Sequence, residues 1–307
     1  MEAVHKKRKR REVLDMRSQK MIKVDNAVIL AAGASSRFAP LSYERHKALI
    51  EVKGEVLIER QIRQLREAGV KDIYVVTGYK SEQFSYLVEK LGVKLVHNSE
   101  YAIRNNHSSI HVVRDVLSNS YICSADNYFA ENPFNAYEEG AFYSGIYSEG
   151  YTKEWCMKTD DEGYIIDVLI GGSDAWYMLG HVFWDEKFSK RFTEIIEQSY
   201  DAPDIVDKLW EDIYIEHIHE LKMKLKKYDA DYIFEFDTLD ELREFDESYV
   251  RDTRSSILKD IAERLGVNEA ELKDFQAVKA VDNRATGFKF VCKGKGYTYE
   301  YGSDKFI

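Results

Sequence analysis

The sequence predicts an α/β protein: a Rossmann-like, mixed but mainly parallel sheet with helices on both faces, followed by a small α+β segment at the C-terminal end. Short unbroken apolar runs, such as Ala27 to Ala32 and Asp72 to Thr77, have the length of strands buried on both faces. Between them lie stretches with helical spacing, such as Leu57, Ile58, Ile62, Leu65 and Ala68. Repeated βα units of this length imply parallel strands joined by helices.

The 307 residues suffice for one large or two ordinary domains with a proper core. An apolar content of 44% and an aromatic content of 13% exclude a disordered chain. No apolar run approaches the roughly 20 residues needed to cross a bilayer, and no signal-peptide core follows the basic start. Cys123, Cys156 and Cys292 are scattered without a CxxC pair, so they read as free thiols of a cytoplasmic protein. Residues 1–23 hold nine Lys or Arg against three acids, so of the total charge of −10 the remainder carries about −16. That arm reads as a mobile tail, a start-site artefact with Met21 as the true beginning, or a nucleic-acid- or membrane-binding extension. The acidic body argues against a stable nucleic-acid partner.

From Asp25 the order is strand, loop, helix, strand. The first strand opens into Gly33-Ala34-Ser35-Ser36-Arg37, and Lys47 follows ten residues after Arg37. A helix over 56–68 ends at Gly69, where a C′ glycine belongs, and 72–77 is the second strand. Helices over 81–91 and 108–117 alternate with strands over 93–97 and 120–125. The next part reads as a mixed antiparallel extension with strands over 141–147, 154–158, 164–170 and 175–184. Helices over 186–198 and 205–221, a strand over 233–237 and a short helix over 240–245 complete residues 24–248 as one domain. From 252 to 307 the pattern is a helix ended by Gly266, a second short helix near Glu269, and a hairpin over 287–301.

Small residues after a strand let backbone N–H groups close around a phosphate, and Arg37 and Lys47 would neutralise it. Polar residues beyond the carboxyl ends of such strands are where α/β folds place chemistry, here the Gly33 loop, Arg104 to His107, and Asp126-Asn127. Asp126 with Glu235 and Asp237 would offer oxygen ligands to Mg²⁺, and strand alternation sets the latter two on one face. The alternative is that each acid caps a strand or helix. Tyr128, Trp155, Trp210 and Tyr214 belong to a window that contains all four tryptophans. Rings there are core, or with Asp212 they form a box for a quaternary ammonium.

VILAAGASSRFAPL followed by Lys47 resembles the signature of the nucleotidyltransferases that make NDP-sugars and related activated alcohols. Their loop reads Leu-Ala-Ala-Gly-x-Gly-x-Arg, so Ser35 replaces the second glycine and His46 replaces a proline before the lysine. LIERQIRQLREAGVKDIYVVTGY, YAIRNNHSSI, YICSADNYF, TKEWCM, KLWEDIY and FEFDTLDEL are similar, in order, to segments of bacterial CTP:phosphocholine cytidylyltransferases over residues 25–247. The resemblance implies a nucleotidyltransferase fold and transfer of a cytidylyl group from CTP to phosphocholine, giving CDP-choline and pyrophosphate with Mg²⁺. It implies Arg37, Lys47 and Asp126 as catalytic, and Asp126, Glu235 and Asp237 as metal ligands. The nucleotide falls to Leu30, Ala31, Ala32, Gly33, Ser35, Ser36, Arg37, Lys47, Gly78, Tyr79, Asn106 and Ser124. The choline group falls to Asp126, Tyr128, Trp155, Trp210 and Asp212. The tail resembles the opening of choline/ethanolamine kinase-like phosphotransferases, with Tyr301 near the position of a usual Arg and no catalytic Asp loop. A homodimer and a downstream kinase domain remain open as partners. A sugar-1-phosphate nucleotidyltransferase and a non-catalytic CTP or choline sensor are the alternatives. The first would want Asn, Gln and Glu around a polyol, and pyrophosphate release would exclude the second.

Overall fold

The computed structural model describes residues 21–280 and 285–303. A seven-stranded sheet runs in the order Lys224–Tyr228, Phe142–Thr159, Ile165–Trp184, Ser120–Ser124, Asn26–Ala31, Asp72–Thr77, Lys94–His97. Asn26–Ala31 lies between two parallel neighbours, which explains its unalternating composition. Ala27 and Ile29 face a core with Ile58, Ile62 and Leu65 of the Leu57–Glu67 helix. Val28 and Ala32 face the opposite core with Ile110 and with Phe192 of the Glu186–Ser199 helix. Full burial of each large side chain contributes about 1.5–3 kcal/mol.

Several expected elements change shape. The four short strands of the extension are parts of two long ones, Phe142–Thr159 and Ile165–Trp184. Register shifts fold this ribbon back, so that Cys156 pairs with Leu169 on one side and Tyr177 on the other. A Cβ at Gly145 would lie 2.7 Å from Leu225 Cδ1 and Met157 Cε and 3.1 Å from Tyr177 O, so a larger residue there would make these two side-chain ends shift. The helix expected over 205–221 is only Trp210–Glu216. The preceding carbonyls of Val206, Asp207 and Lys208 are instead bonded by the Asn105 N–H, the Asn105 amide and the His107 ring. Ser81–Phe84 and Arg114–Val116 are 3₁₀ turns beside short helices, Tyr86–Leu91 and His107–Val112. The strand over 233–237 is Ile233–Glu235 and leaves Asp237 outside.

Within the 1–23 arm, Ile22–Lys23 pairs with Tyr137–Glu138, and residues 1–20 lie outside the described residues. At the other end, Ser256–Leu265 is a helix capped by the Ser255 hydroxyl and ended by Gly266 at φ +64°. The second expected helix is a single 3₁₀ turn, and a third strand, Leu272–Lys279, joins Ala285–Cys292 and Lys295–Glu300. Residues 281–284 and 304–307 of the kinase-like tail lie outside the described residues. Leu258, Ile261, Phe288, Phe290 and Tyr299 share one core with Phe38, Leu41, Ile50 and Leu57. Among the described residues no helix is long and apolar enough to cross a membrane, and all three cysteines are free and buried.

Candidate active site

The cleft opens at the carboxyl ends of Asn26–Ala31 and Ser120–Ser124, with a volume of about 210 Å³. Among the expected site residues, Leu30, Ala31, Ala32, Gly33, Ser35, Lys47, Asn106, Ser124 and Asp126 line it. A Cβ on Gly33 meets nothing within 4 Å, so the loop backbone is open to an incoming group. Ser36, Arg37, Gly78 and Tyr79 are not lining residues. Gly78 works behind the loop: the Tyr79 N–H donates to Ala32 O at 3.0 Å, and a Cβ at 78 would lie 2.8 Å from that carbonyl and 2.6 Å from Tyr101.

The two departures from the loop signature now have physical content. Ser35 sits at φ +47°, the left-handed region that glycine adopts freely. Ser35→Gly should relieve about 1–2 kcal/mol of strain against about 0.5–1 kcal/mol of added chain entropy. A small rise in Tm is therefore expected, and a fall in a thermal melt would refute the strain. His46 is buried, with its Nδ1 accepting from the Ala48 N–H at 3.1 Å. Its Nε2 therefore carries the proton and donates to Gly33 O at 3.0 Å. Burial pushes its pKa down to about 4, partly opposed by that carbonyl, so the ring is neutral and tethers the loop.

Lys47 is 3% exposed and is the hub of the site. Its Nζ is 3.0 Å from Asp126 Oδ2 and 3.4 Å from Asp237 Oδ1, while Arg37 holds Asp237 Oδ2 at 2.6 Å. Burial opposes the ammonium charge, but Asp126, Glu235 and Asp237 outweigh it and raise its pKa. For Asp126, burial raises the pKa and Lys47 outweighs it, leaving the carboxyl below its usual range. Glu235 is pushed up, chiefly by the neighbouring Asp126 charge. Gln61, in the Leu57–Glu67 helix, holds the loop bearing Asp126 through its amide, which donates to Ser124 O and Asn127 O at 2.8 Å each.

The expected three-carboxylate metal site is not preassembled. Among the described residues no group of three His, Cys, Asp or Glu side chains is spaced to hold a metal ion. The Lys47 ammonium takes the position between Asp126 and Asp237, and Asp237 reaches it from beyond the strand rather than by alternation. Two carboxylates on one cation, next to a third that is short of countercharge, suit an ion held by one or two carboxylates plus substrate oxygens.

Of the residues expected around choline, only Asp126 lines the cleft. Tyr128 lies in the C-terminal core, with the Arg60 guanidinium 4.4 Å from its ring centroid. Trp210 is 3% exposed, stacked on Tyr143 at 5.8 Å and edge-on to Trp184 at 5.2 Å. The Asp212 carboxylate accepts from its own helix start, the Leu209 N–H, at 2.7 Å. Trp155 is half-buried on the ribbon opposite Ile170. Large rings gain much from core burial, so residue type and spacing alone do not separate a core ring from one facing a cleft.

The residue missed is Glu211. Its Oε2 accepts from the Asn106 amide at 3.2 Å and its Oε1 from the Tyr143 hydroxyl at 3.5 Å, beside the cleft. Asn106 in turn accepts from the Trp210 N–H at 2.7 Å, which fixes Glu211 relative to the start of the His107–Val112 helix. Burial lifts its pKa to about 7, further helped by Asp212 and opposed by its hydrogen bonds. Its place next to Asp212 in LWED offered the signal, but only the helix phase separates the two.

A model of the MobA-like NTP transferase domain matches residues 27–132. The choline-phosphate cytidylyltransferase of Streptococcus pneumoniae is 35% identical over 221 residues, covering 72% of this chain and 96% of that protein. The 2-aminoethylphosphonate cytidylyltransferase of Lancefieldella rimae is 38% identical over 234 residues, covering 75% and 95%. The solved structure of the S. pneumoniae CTP:phosphocholine cytidylyltransferase superposes with a TM-score of 0.71, covering 74% of this chain and 99% of that one. A Bacillus anthracis structure described as a putative glucose-1-phosphate thymidylyltransferase, 16% identical with a TM-score of 0.55, shares the fold. Sequence and fold agree that this chain is a nucleotidyltransferase belonging to the choline-phosphate cytidylyltransferase family.

Proposed function

We propose that the protein transfers the cytidylyl group of CTP to phosphocholine, giving CDP-choline and pyrophosphate. The observation that carries this is the buried Lys47 ammonium held between Asp126 and Asp237 at the mouth of the small-residue loop. A phosphoryl oxygen of the acceptor bonds to the α-phosphorus as the bond to the β-phosphate oxygen breaks, and pyrophosphate leaves. The protein positions the two substrates and neutralises charge; no covalent intermediate on the protein is needed. The loop amides from Gly33 onward receive the triphosphate, and Lys47 and Arg37 turn from the carboxylates to its oxygens. Asp126 and Asp237, with Glu235 beside them, would hold Mg²⁺, which neutralises the phosphates and polarises the one attacked. On the same reading, residues 252–307 are a kinase-like lobe, and the enzyme works in the cytoplasm.

A second acceptor, 2-aminoethylphosphonate, is favoured by one observation. The acceptor end presents the Glu211 carboxylate, the Asn106 amide and the Tyr143 hydroxyl, while the Trp210 ring is covered. Those groups suit a primary ammonium, which donates hydrogen bonds, better than a trimethylammonium, which cannot. One assay separates these readings: pyrophosphate release from each of the four NTPs with phosphocholine, 2-aminoethylphosphonate, phosphoethanolamine and glucose-1-phosphate. Release with glucose-1-phosphate alone would overturn the proposal.

The acceptor's cation gives a pH prediction. Glu211, with a pKa of about 7, is neutral below that pH and ionised above it. The acceptor KM should therefore fall as pH rises from 6 to 7 and level off above 8, approaching tenfold per unit on the acid side. Glu211→Gln, which shares the acceptor's own ionisation, should flatten the profile. A Gln variant that kept the wild-type slope would place the cation elsewhere.

A further inference from the structure

The relatives described above are covered almost to their full length by about three quarters of this chain, and the motif match ends at residue 247. The C-terminal unit thus lies outside that match, yet it is not a free appendage. Phe38, directly after Arg37, and Leu41 bury their side chains in its core beside Leu258 and Phe288. Glu44, at the end of the Leu41–Glu44 helix, accepts through Oε1 from the Ser256 N–H at 2.7 Å, the Ile257 N–H at 3.4 Å and the Ser256 hydroxyl. Its carboxylate thereby caps the start of the ten-residue Ser256–Leu265 helix. Beside it, Tyr43 stacks on Tyr301 with ring centroids 3.6 Å apart.

The same unit grips the carboxylate half. Asp237 leads into the Leu239–Phe245 helix, whose buried Arg243 donates to Leu272 O at 2.7 Å and Glu269 O at 2.9 Å. Asp240 accepts from the Asp274 N–H at 3.0 Å. Arg37 and Lys47 stand on one segment, Glu235 and Asp237 on another nearly two hundred residues later, and the C-terminal unit is bonded to both.

We infer that the C-terminal unit aligns the nucleotide site, and that Glu44 is a positioning residue for the Arg37–Lys47 segment. The inference rests on the proposed CTP site. It acts on the nucleotide half alone, because the acceptor groups Glu211, Asn106 and Tyr143 stand on elements outside the shared core. Misplacing a charged group by an ångström in such a site has large kinetic effects, so Glu44→Ala should raise the KM for CTP on the order of tenfold and leave the acceptor KM within about twofold. Glu44→Gln keeps an oxygen for the helix N–H groups and should restore most of the CTP affinity. Tyr43→Ala, a change at an exposed stack, should move the CTP KM in the same direction as Glu44→Ala and serves if that variant does not fold.

The test uses the full chain, with steady-state KM for each substrate and calorimetric titration of CTP. A rise in CTP KM alone, restored by Gln, supports the alignment role. An unmoved CTP KM, an equal shift in both substrates, or no restoration by Gln overturns it. If the wild-type protein releases no pyrophosphate from CTP with any acceptor, the functional reading fails instead. The CTP dissociation constants then carry the same comparison.

Discussion

Asp126→Asn is expected to lower kcat by about 10²–10³-fold, because on the proposed reading it removes a carboxylate that would hold Mg²⁺ against the reacting phosphates. The effect has two sources in the structure. The carboxylate is the nearest partner of the buried Lys47 ammonium, at 3.0 Å, and it also raises the pKa of Glu235. With Asn in its place, Lys47 keeps Asp237 at 3.4 Å, while Glu235 loses the charge that held its pKa up and becomes a stronger acid. The variant should therefore fold while needing more Mg²⁺ for half-maximal rate, since one of two converging oxygens is neutral. Measurement of kcat against Mg²⁺ concentration decides the point. A rate within about fivefold of wild type at ordinary Mg²⁺ would mean that Asp126 does not face the reacting centre.

Most of the fold was legible because local patterning and packing agree in the parallel half. The run Ala27 to Ala32 is apolar on both faces, and both of its faces are core. The charge cluster was legible in part: Arg37, Lys47, Asp126 and Asp237 stand in loops after strands, where capping was the alternative for each acid, and the structure brings the four together. What failed are the features decided by long-range partners. The 205–221 helix is broken by Asn105 and His107, a hundred residues away, and helical spacing carries no trace of them. The choice between core and cage for the rings is of the same kind: Trp210 and Tyr128 carry a residue type that suits both, and in the structure Tyr143, Trp184 and Arg60 pack against them. The small C-terminal segment does not stand alone, because Phe38 and Leu41 complete its core.

Lys47→Met makes the strongest test of the charge architecture, because activity and stability should both respond. The methionine fills the buried stem but removes the cation at the triphosphate end, so kcat/KM for CTP should fall at least about 10²–10³-fold. The stability effect has a definite sign. In the wild type, Lys47 offsets burial to keep Asp126 ionised. Without it, Asp126 and Glu235 face each other with the Arg37 guanidinium engaged on Asp237, and the folded-state pKa values of Asp126 and Glu235 move up. A carboxyl whose pKa is raised on folding contributes stability that is complete below its unfolded value near 4 and is lost as pH rises through the folded value. The Tm deficit of Lys47→Met should therefore be small near pH 5 and grow towards pH 8. Mg²⁺ at pH 8 should recover more of the Tm in the variant than in the wild type, because a divalent cation replaces the missing charge and binds only the folded state. Thermal melts at pH 5 and pH 8, with chelator and with Mg²⁺, give four numbers per protein. A deficit independent of both pH and Mg²⁺ would mean that Lys47 supports the core by packing alone, and the pairing with Asp126 and Asp237 would lose its claim to organise the site.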